Sequence, residues 1–335
     1  MQIDFIKCHG SGNDFPLIDA RAVALSDAEW GVVARLLSDR AGPVGSDGLL
    51  LLTNGSGAHA FGMRMFNADG SEAETCLNGL RCVARAGFAA LGIDRASVQL
   101  KTSSADVAAD PPLAPGVYTV RETAGPADLD VGRWPLAGAT RLVEAAVPAL
   151  MPGSLMPGSL MPGGLMLEGA ASPRLFTAVA MPNPHLISFV DRIDDAELSA
   201  IGAVCEAAPD WLPNRANVSF VELRGRDLFV RTFERGVGLT DSCGSAMAAA
   251  TAAACLTGRI AYDAPLTVYN CGGMVRASAS RALMVTLSGN ASFDWRGSIT
   301  IDLASATCGV LSVTERFDGD VAAWAAVLAG ISDRQ

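Results

Sequence analysis

Among the eight cysteines in this chain of 335 residues, Cys76 and Cys243 stand in matched surroundings. An MRMF segment ends at Phe66, a polar Gly-containing loop follows, and Cys76 comes ten residues later, before a helix-forming stretch that stops near Gly92. A VRTF segment ends at Phe233, a Gly-rich loop follows, and Cys243 again comes ten residues later, before a stretch that stops near Gly258. The Cys-to-Gly separations are 16 and 15 residues. A thiol at a helix N-terminus lies at the positive end of the helix dipole, beside N–H groups that have no acceptor inside the helix. That placement lowers the thiol pKa, and the same N–H groups can hold a carboxylate. Two such helix starts facing each other would grip one α-carboxylate with a sulfur on each face of the α-carbon. One thiolate would remove the α-proton while the opposite thiol delivers another, inverting the centre. Preorganised donors of this kind are worth about 3–4 kcal/mol each toward the developing carbanion. Pyridoxal phosphate is then unnecessary, and no GxGxxG or P-loop points to another cofactor.

These cysteines need elements to position them. Residues 2–8 alternate as a strand does and run into a turn-rich HGSGNDF segment. A helix is expected near 26–40, with Ser26 as N-cap and Glu29 completing a capping box. Residues 45–52 read as a turn entering a buried strand, 62–66 as a strand, and 77–92 as a helix closed by Gly92. In the second half, 175–180, 216–223 and 227–233 read as strands. Helices are expected near 195–207, at 244–258, where alanine dominates, and in the tail. A strand, a loop, a cysteine and a helix thus recur in one order, the mark of a duplicated α/β unit. Two such domains about a pseudo-twofold axis would bring both cysteines to one cleft.

Three tandem copies of a five-residue Met-Pro-Gly unit interrupt the second half at 149–166. Pro-Gly in each copy forbids a helix or long strand, and a surface loop absorbs such an insertion most readily. The remaining cysteines are weighed against packing, the usual role of a free thiol. Cys82, Cys205, Cys255, Cys271 and Cys308 are assigned to it, and Cys8 is left open at the edge of the HGSGND turn.

A net charge of −10 with no basic run excludes a nucleic-acid surface. Hydrophobic residues at 50% and charged residues at 18% describe a folded globular chain. No stretch reaches membrane-spanning length before Gly, Pro or a charge breaks it, so no membrane partner is expected. The N-terminus lacks a secretory pattern, which places the chain in a reducing cytoplasm with free thiols. With no CxxC pair and only three histidines, no metal site is expected.

HGSGNDF (9–15), GSDGLL (45–50), FNADGSEAETCLNGLRC (66–82), NPH (183–185), NVSFVE (217–222) and ERGVGLTDSCGSA (234–246) resemble, in order, the motif set of the diaminopimelate epimerases. The resemblance covers residues 1–302. It implies an α/β (α+β) fold of two pseudo-symmetric domains, each a curved sheet around a central helix, with the active site in the cleft between them. The domains would be 1–125 with about 290–302, and 126–289, followed by an extension at 303–335. It further implies cofactor-independent epimerisation of LL-diaminopimelate to the meso form, in a homodimer, with Cys76 and Cys243 as the acid/base pair and Glu234 and His185 assisting. Asn13, Asn67, Asn183, Asn217 and Arg235 would bind the substrate, largely at its non-reacting end. Leu77 with Asn78, and Gly244 with Ser245, would offer backbone N–H groups to the reacting carboxylate.

This chain departs from the family pattern at several places. Leu77 replaces a glycine beside the thiol, Leu239 a common glutamate, and Met247 a smaller residue; the repeat and the tail have no family counterpart. Three other readings are weighed against this one. A sibling racemase acting on another amino acid, such as histidine, would explain these departures, but it would leave Asn67, Asn183, Asn217 and Arg235 unpaired. A binding protein that had lost the reaction would be expected to lack a cysteine, and both are present. A proline-racemase-like enzyme shares the two-thiol logic but fits the motifs less well.

Overall fold

The structure, a computed structural model, describes residues 1–137, 139–147 and 174–332. The Met-Pro-Gly repeat lies outside the described residues. The chain divides into two compact units: Met1–Thr123 with Gly272–Arg276 and Leu287–Gln335, and Ala124–Cys271 with Ala277–Thr286.

In the first unit, β1 (Gln2–Gly10) and β2 (Asn13–Asp19) form an antiparallel hairpin in which Gly10 faces Asn13. Ser11 and Gly12 alone make the turn, with φ of 52° and 84°; positive φ at both positions matches the twist of the paired strands. The HGSGNDF segment, expected to be turn-rich, is therefore mostly strand. α1 (Asp27–Ser38) begins at Ser26 with the expected capping box to Glu29. β3 (Gly48–Asn54) runs parallel to β2 and antiparallel to β4 (Phe61–Asn67). β5 (Glu72–Ala73) folds back on β4. α2 (Leu77–Leu91) then runs from Cys76 as N-cap to Gly92, whose φ is 67°. β6 (Arg95–Gln99) returns parallel to β4, and β7 (Ser104–Asp110) and β8 (Thr119–Ala124) continue antiparallel.

Leu49–Leu52 shows how this sheet is covered on both faces. Leu49 and Leu51 pack under α1 with Trp30, Val33 and Leu37, while Leu50 and Leu52 pack around α2 with Leu80, Val83 and Phe88. An unbroken apolar run is what a strand buried on both sides requires.

The second unit contains β9 (Ala145–Ala146), β10 (Leu175–Ala180) and β11 (Pro184–Phe189), paired antiparallel in sequence. α3 (Asp195–Glu206) leads to β12 (Asn217–Arg224), parallel to β11, and β13 (Asp227–Glu234) follows antiparallel. β14 (Gly238–Thr240) folds back on β13, α4 (Gly244–Leu256) follows Cys243, and β15 (Leu266–Asn270) runs parallel to β13. Every step from β11 to β15 repeats a step from β2 to β6, in the same order and strand direction. The duplication inferred from two cysteine neighbourhoods thus covers seven elements. Every residue of α4 from Ala246 to Cys255 is buried; an alanine helix is apolar all round and slim enough for a sheet to wrap closely.

β16 (Gly273–Ala279) and β17 (Val285–Asn290) precede β18 (Ser292–Asp302), which pairs with β1. β19 (Thr307–Cys308), β20 (Ser312–Arg316) and α5 (Asp318–Ser332) make up the tail. The tail falls within the first unit rather than standing outside it as an extension. β20 pairs with β18, Trp324, Val327 and Ile331 are buried, and Asp320 accepts hydrogen bonds from Arg85 and from the Phe293 N–H.

Cys82, Cys205 and Cys255 are buried as packing thiols, and so is Cys8, whose thiol faces the Phe15 carbonyl at 3.4 Å. Cys271 is exposed and Cys308 only half-buried, so the packing assignment fails for Cys271. It occupies the turn between β15 and β16, where no core is available to cover it.

Candidate active site

Cys76 is the N-cap of α2, and it is half-buried. Its sulfur accepts the Gly79 N–H at 3.4 Å, and its thiol points toward Asn13 Oδ1 at 3.7 Å. Asn13 is held in turn, its amide donating to Asp47 Oδ2 at 2.6 Å. Arg40 fixes that carboxylate and Asp14, both at 2.6 Å. Leu77 and Asn78 are the first two residues of α2, and both are buried. The leucine that replaces a glycine thus finds its room inside the unit. Asn67 ends β4 and its amide closes the following turn on Ser71 Oγ at 3.0 Å.

In the second unit Cys243 is the N-cap of α4 and is buried. Its sulfur lies 3.4 Å from Ser245 Oγ, which lies 3.1 Å from His185 Nε2; the same nitrogen is 3.1 Å from Asn183 Oδ1. Glu234 lies against Cys243 and takes a short hydrogen bond from the Thr240 hydroxyl. Asn217 Oδ1 accepts the Arg235 N–H at 3.0 Å, and the Arg235 guanidinium donates to the Asn214 carbonyl at 3.0 Å. Cys243, Ser245, His185, Asn183 and Glu234 thus converge in one unit, with Cys76, Asn13 and Asn78 in the other. Thr240, Asp47 and Arg40 complete these clusters. Asp47 and Thr240 lie within the GSDGLL and ERGVGLTDSCGSA motifs but Arg40 lies in none, and nothing in the sequence pairs any of the three with its partner.

The protonation of Cys243 corrects an expectation. Its helix start would favour a thiolate, yet burial and then the neighbouring Glu234 carboxylate raise its pKa well above the usual thiol value. Ser245 and the Ala246 N–H pull the other way and lose: desolvation penalises the charged form more than one helix end can offset. Cys243 therefore rests as a thiol. Burial, with Arg235 adding to it, pushes His185 down to about 3, and its Nδ1 finds no hydrogen-bond partner among the described residues. Its imidazole is neutral at any working pH.

Two of the substituted positions prove to be packing residues. Leu239 lies in β14 opposite Phe233, against the core of the second unit. Met247 is fully buried and its sulfur accepts the Asn270 amide at 3.4 Å. Among the described residues no His, Cys, Asp or Glu cluster is arranged to hold a metal ion, and no helix is long and apolar enough to cross a membrane.

A duplicated α/β unit with a cysteine capping the inner helix of each copy defines a class of two-thiol proteins. Comparisons place the chain within it. The sequence profile of the family described as diaminopimelate epimerase matches residues 5–110 and 177–293, and the chain belongs to that family. A diaminopimelate epimerase of Clostridium acetobutylicum is 34% identical over 310 residues, covering 90% of this chain and 87% of the relative. One from Enterococcus faecalis is 35% identical over 333 residues, covering 94% and 95%. At 94% coverage that second match must enter the 303–335 tail, so the start of the tail does have a counterpart in this relative. Among solved structures, a phenazine biosynthesis protein of the PhzF family from Bacillus anthracis shares the fold, with a TM-score of 0.61 at 13% identity. It covers 90% of this chain and all of its own.

Proposed function

We propose that this protein interconverts LL- and meso-2,6-diaminopimelate without a cofactor, by a two-base reaction between Cys76 and Cys243. The observation that carries this reading is a cysteine at the N-cap of the inner helix in both copies of a repeated unit, within a chain that belongs to the diaminopimelate epimerase family. The α-proton passes to the sulfur of one cysteine as the C–H bond breaks. The thiol proton of the other is delivered to the opposite face, and the two sulfurs end with their protonation exchanged. Cys243, held as a thiol, is suited to deliver the proton, and Glu234 and His185 to regulate it. The N–H groups at the start of α2 and α4, from Leu77, Asn78, Gly244 and Ser245, would stabilise the carboxylate as charge develops on it. Asn13, Asn67, Asn183, Asn217 and Arg235 would hold the distal end, whose ammonium and carboxylate suit amides and a guanidinium.

The wider setting proposed is a cytoplasmic homodimer supplying lysine and peptidoglycan precursors. Racemisation of histidine is not favoured, because the relatives above are diaminopimelate epimerases over nearly the whole chain and two of the substitutions behind that alternative are accounted for by packing.

Incubation of the reduced protein in deuterated water with LL-diaminopimelate should place deuterium at the α-carbon and yield the meso isomer. L-histidine should remain unlabelled; label in histidine alone refutes the substrate. Cys76→Ser and Cys243→Ser should each lower turnover by about 10²–10⁴-fold, the range of a lost acid/base group. Wild-type turnover in either variant refutes the two-base assignment.

A further inference from the structure

Among the described residues, Arg81 is the largest fully buried side chain. It stands five residues after Cys76, on the inner face of α2. A guanidinium removed from water is costly unless its donors are satisfied, so the positions of its partners are informative. Nη1 donates to Glu122 Oε1 at 2.7 Å, and Nε to the Asn290 carbonyl at 3.1 Å. Nη2 donates to Asn78 Oδ1 at 2.8 Å and reaches Ser11 Oγ at 3.3 Å. One planar fork thus joins α2, β8, the end of β17 and the β1–β2 turn, all in the first unit.

The surroundings are shaped to this fork. A Cβ on Gly289 would lie 2.5 Å from Arg81 Nε, and one on Gly10 would lie 3.0 Å from Nη2 and 2.5 Å from the Asn78 carbonyl oxygen. Asn290 repeats the grip on the turn: its Oδ1 accepts the Ser11 N–H at 2.7 Å, and its amide donates to Ser292 Oγ at 2.8 Å. Ser11 is held at φ 52°, a conformation that a non-glycine residue keeps only when its neighbours impose it.

We infer that Arg81 is a positioning residue for epimerisation, setting the β1–β2 turn and Asn78 relative to Cys76. The inference rests on the function proposed above. Two of the groups assigned to the substrate depend on this fork. Asn78 is the second residue of α2, where the reacting carboxylate would bind, and its side chain is bonded to the guanidinium. Asn13 follows the turn that Ser11 and Asn290 anchor, and its Oδ1 faces the Cys76 thiol. Displacing either would change the chemical step more than the capture of substrate, since misplacing reacting groups by small distances is expensive in rate. Lysine at 81 keeps the charge but cannot reach four acceptors in three directions with one ammonium.

Steady-state epimerisation of LL-diaminopimelate by full-length Arg81→Lys, with its unfolding transition recorded alongside, tests this. A folded variant should lose at least tenfold in kcat, about 1.4 kcal/mol of barrier, with KM within threefold of wild type. A folded Arg81→Lys that retains kcat within twofold, or whose loss lies in KM alone, overturns the inference. If that variant does not fold, Ser11→Gly decides: glycine accepts the positive φ, so the turn can be kept while the hydroxymethyl group that meets Arg81 is lost. A threefold or greater fall in kcat supports the role, and unchanged kcat overturns it. Wild-type protein that leaves diaminopimelate unlabelled in deuterated water refutes the functional reading, and this role with it.

Discussion

Cys243 shows how far a residue's chemistry depends on what surrounds it. A helix start and a hydroxyl favour its thiolate, but burial and the Glu234 carboxylate outweigh them and keep the proton on sulfur. Glu234→Gln removes a charge that raises the thiol pKa without opening the site. Cys243 should then be alkylated by iodoacetamide a few-fold faster at pH 8 than in the wild type, followed by mass spectrometry of its peptide, even as epimerisation falls. Slower or unchanged alkylation would show that Glu234 does not govern this thiol. At this scale much was legible beforehand: both cysteines, His185 and Glu234 stand out by motif. Arg81 did not, because an arginine within a helix reads as a solvated charge until tertiary contacts bury it completely.

At the scale of elements, the tail illustrates the opposite case. Its helical composition was plain, but nothing in residues 303–335 announces which core receives them. α5 inserts Trp324, Val327 and Ile331 into buried positions, and Phe317 stacks edge-on against Phe293 at 5.5 Å between centroids. Trp324→Ala should cost about 3–5 kcal/mol, the range for emptying a large aromatic site, measured by urea unfolding. A loss below about 1 kcal/mol would mean that α5 contributes little to the unit it packs on. The strands from 95 to 124 leave little mark in the sequence, since SADVAAD and RETA carry too few large apolar residues for the alternation to show. Their register comes from neighbours already in place.

For the whole molecule, two buried titratable groups give opposing pH dependences. His185 is pushed down to about 3 from the usual imidazole value. The unfolded chain therefore binds more protons than the folded one between pH 3 and 6.5, and this group favours folding more as pH rises through that window. Glu122 behaves in reverse. Burial raises it to about 7 although Arg81 lowers it, so the folded state binds the extra proton and stability from this group is lost as pH rises from about 4.5 to 7. Glu122→Gln stays neutral throughout. The difference in Tm, variant minus wild type, should grow more positive from pH 4.5 to pH 7, read by thermal unfolding across that range. A flat or falling difference would show that Glu122 ionises in the fold at or below its ordinary pKa.

Local order along the chain was enough to determine the capped helices, the strand–loop–cysteine–helix repeat, the pair of thiols and the family to which they belong. These depend on interactions between residues a few positions apart, or on spacings that survive duplication. Tertiary structure decided that Cys243 keeps its proton, that Cys271 faces outward, that the tail joins the first unit, and that Arg81, bonded to Asn78, also reaches Ser11 across 70 positions of chain. Each of these depends on desolvation or on partners distant in sequence. Such quantities exist only once the sheet has closed around α2 and α4.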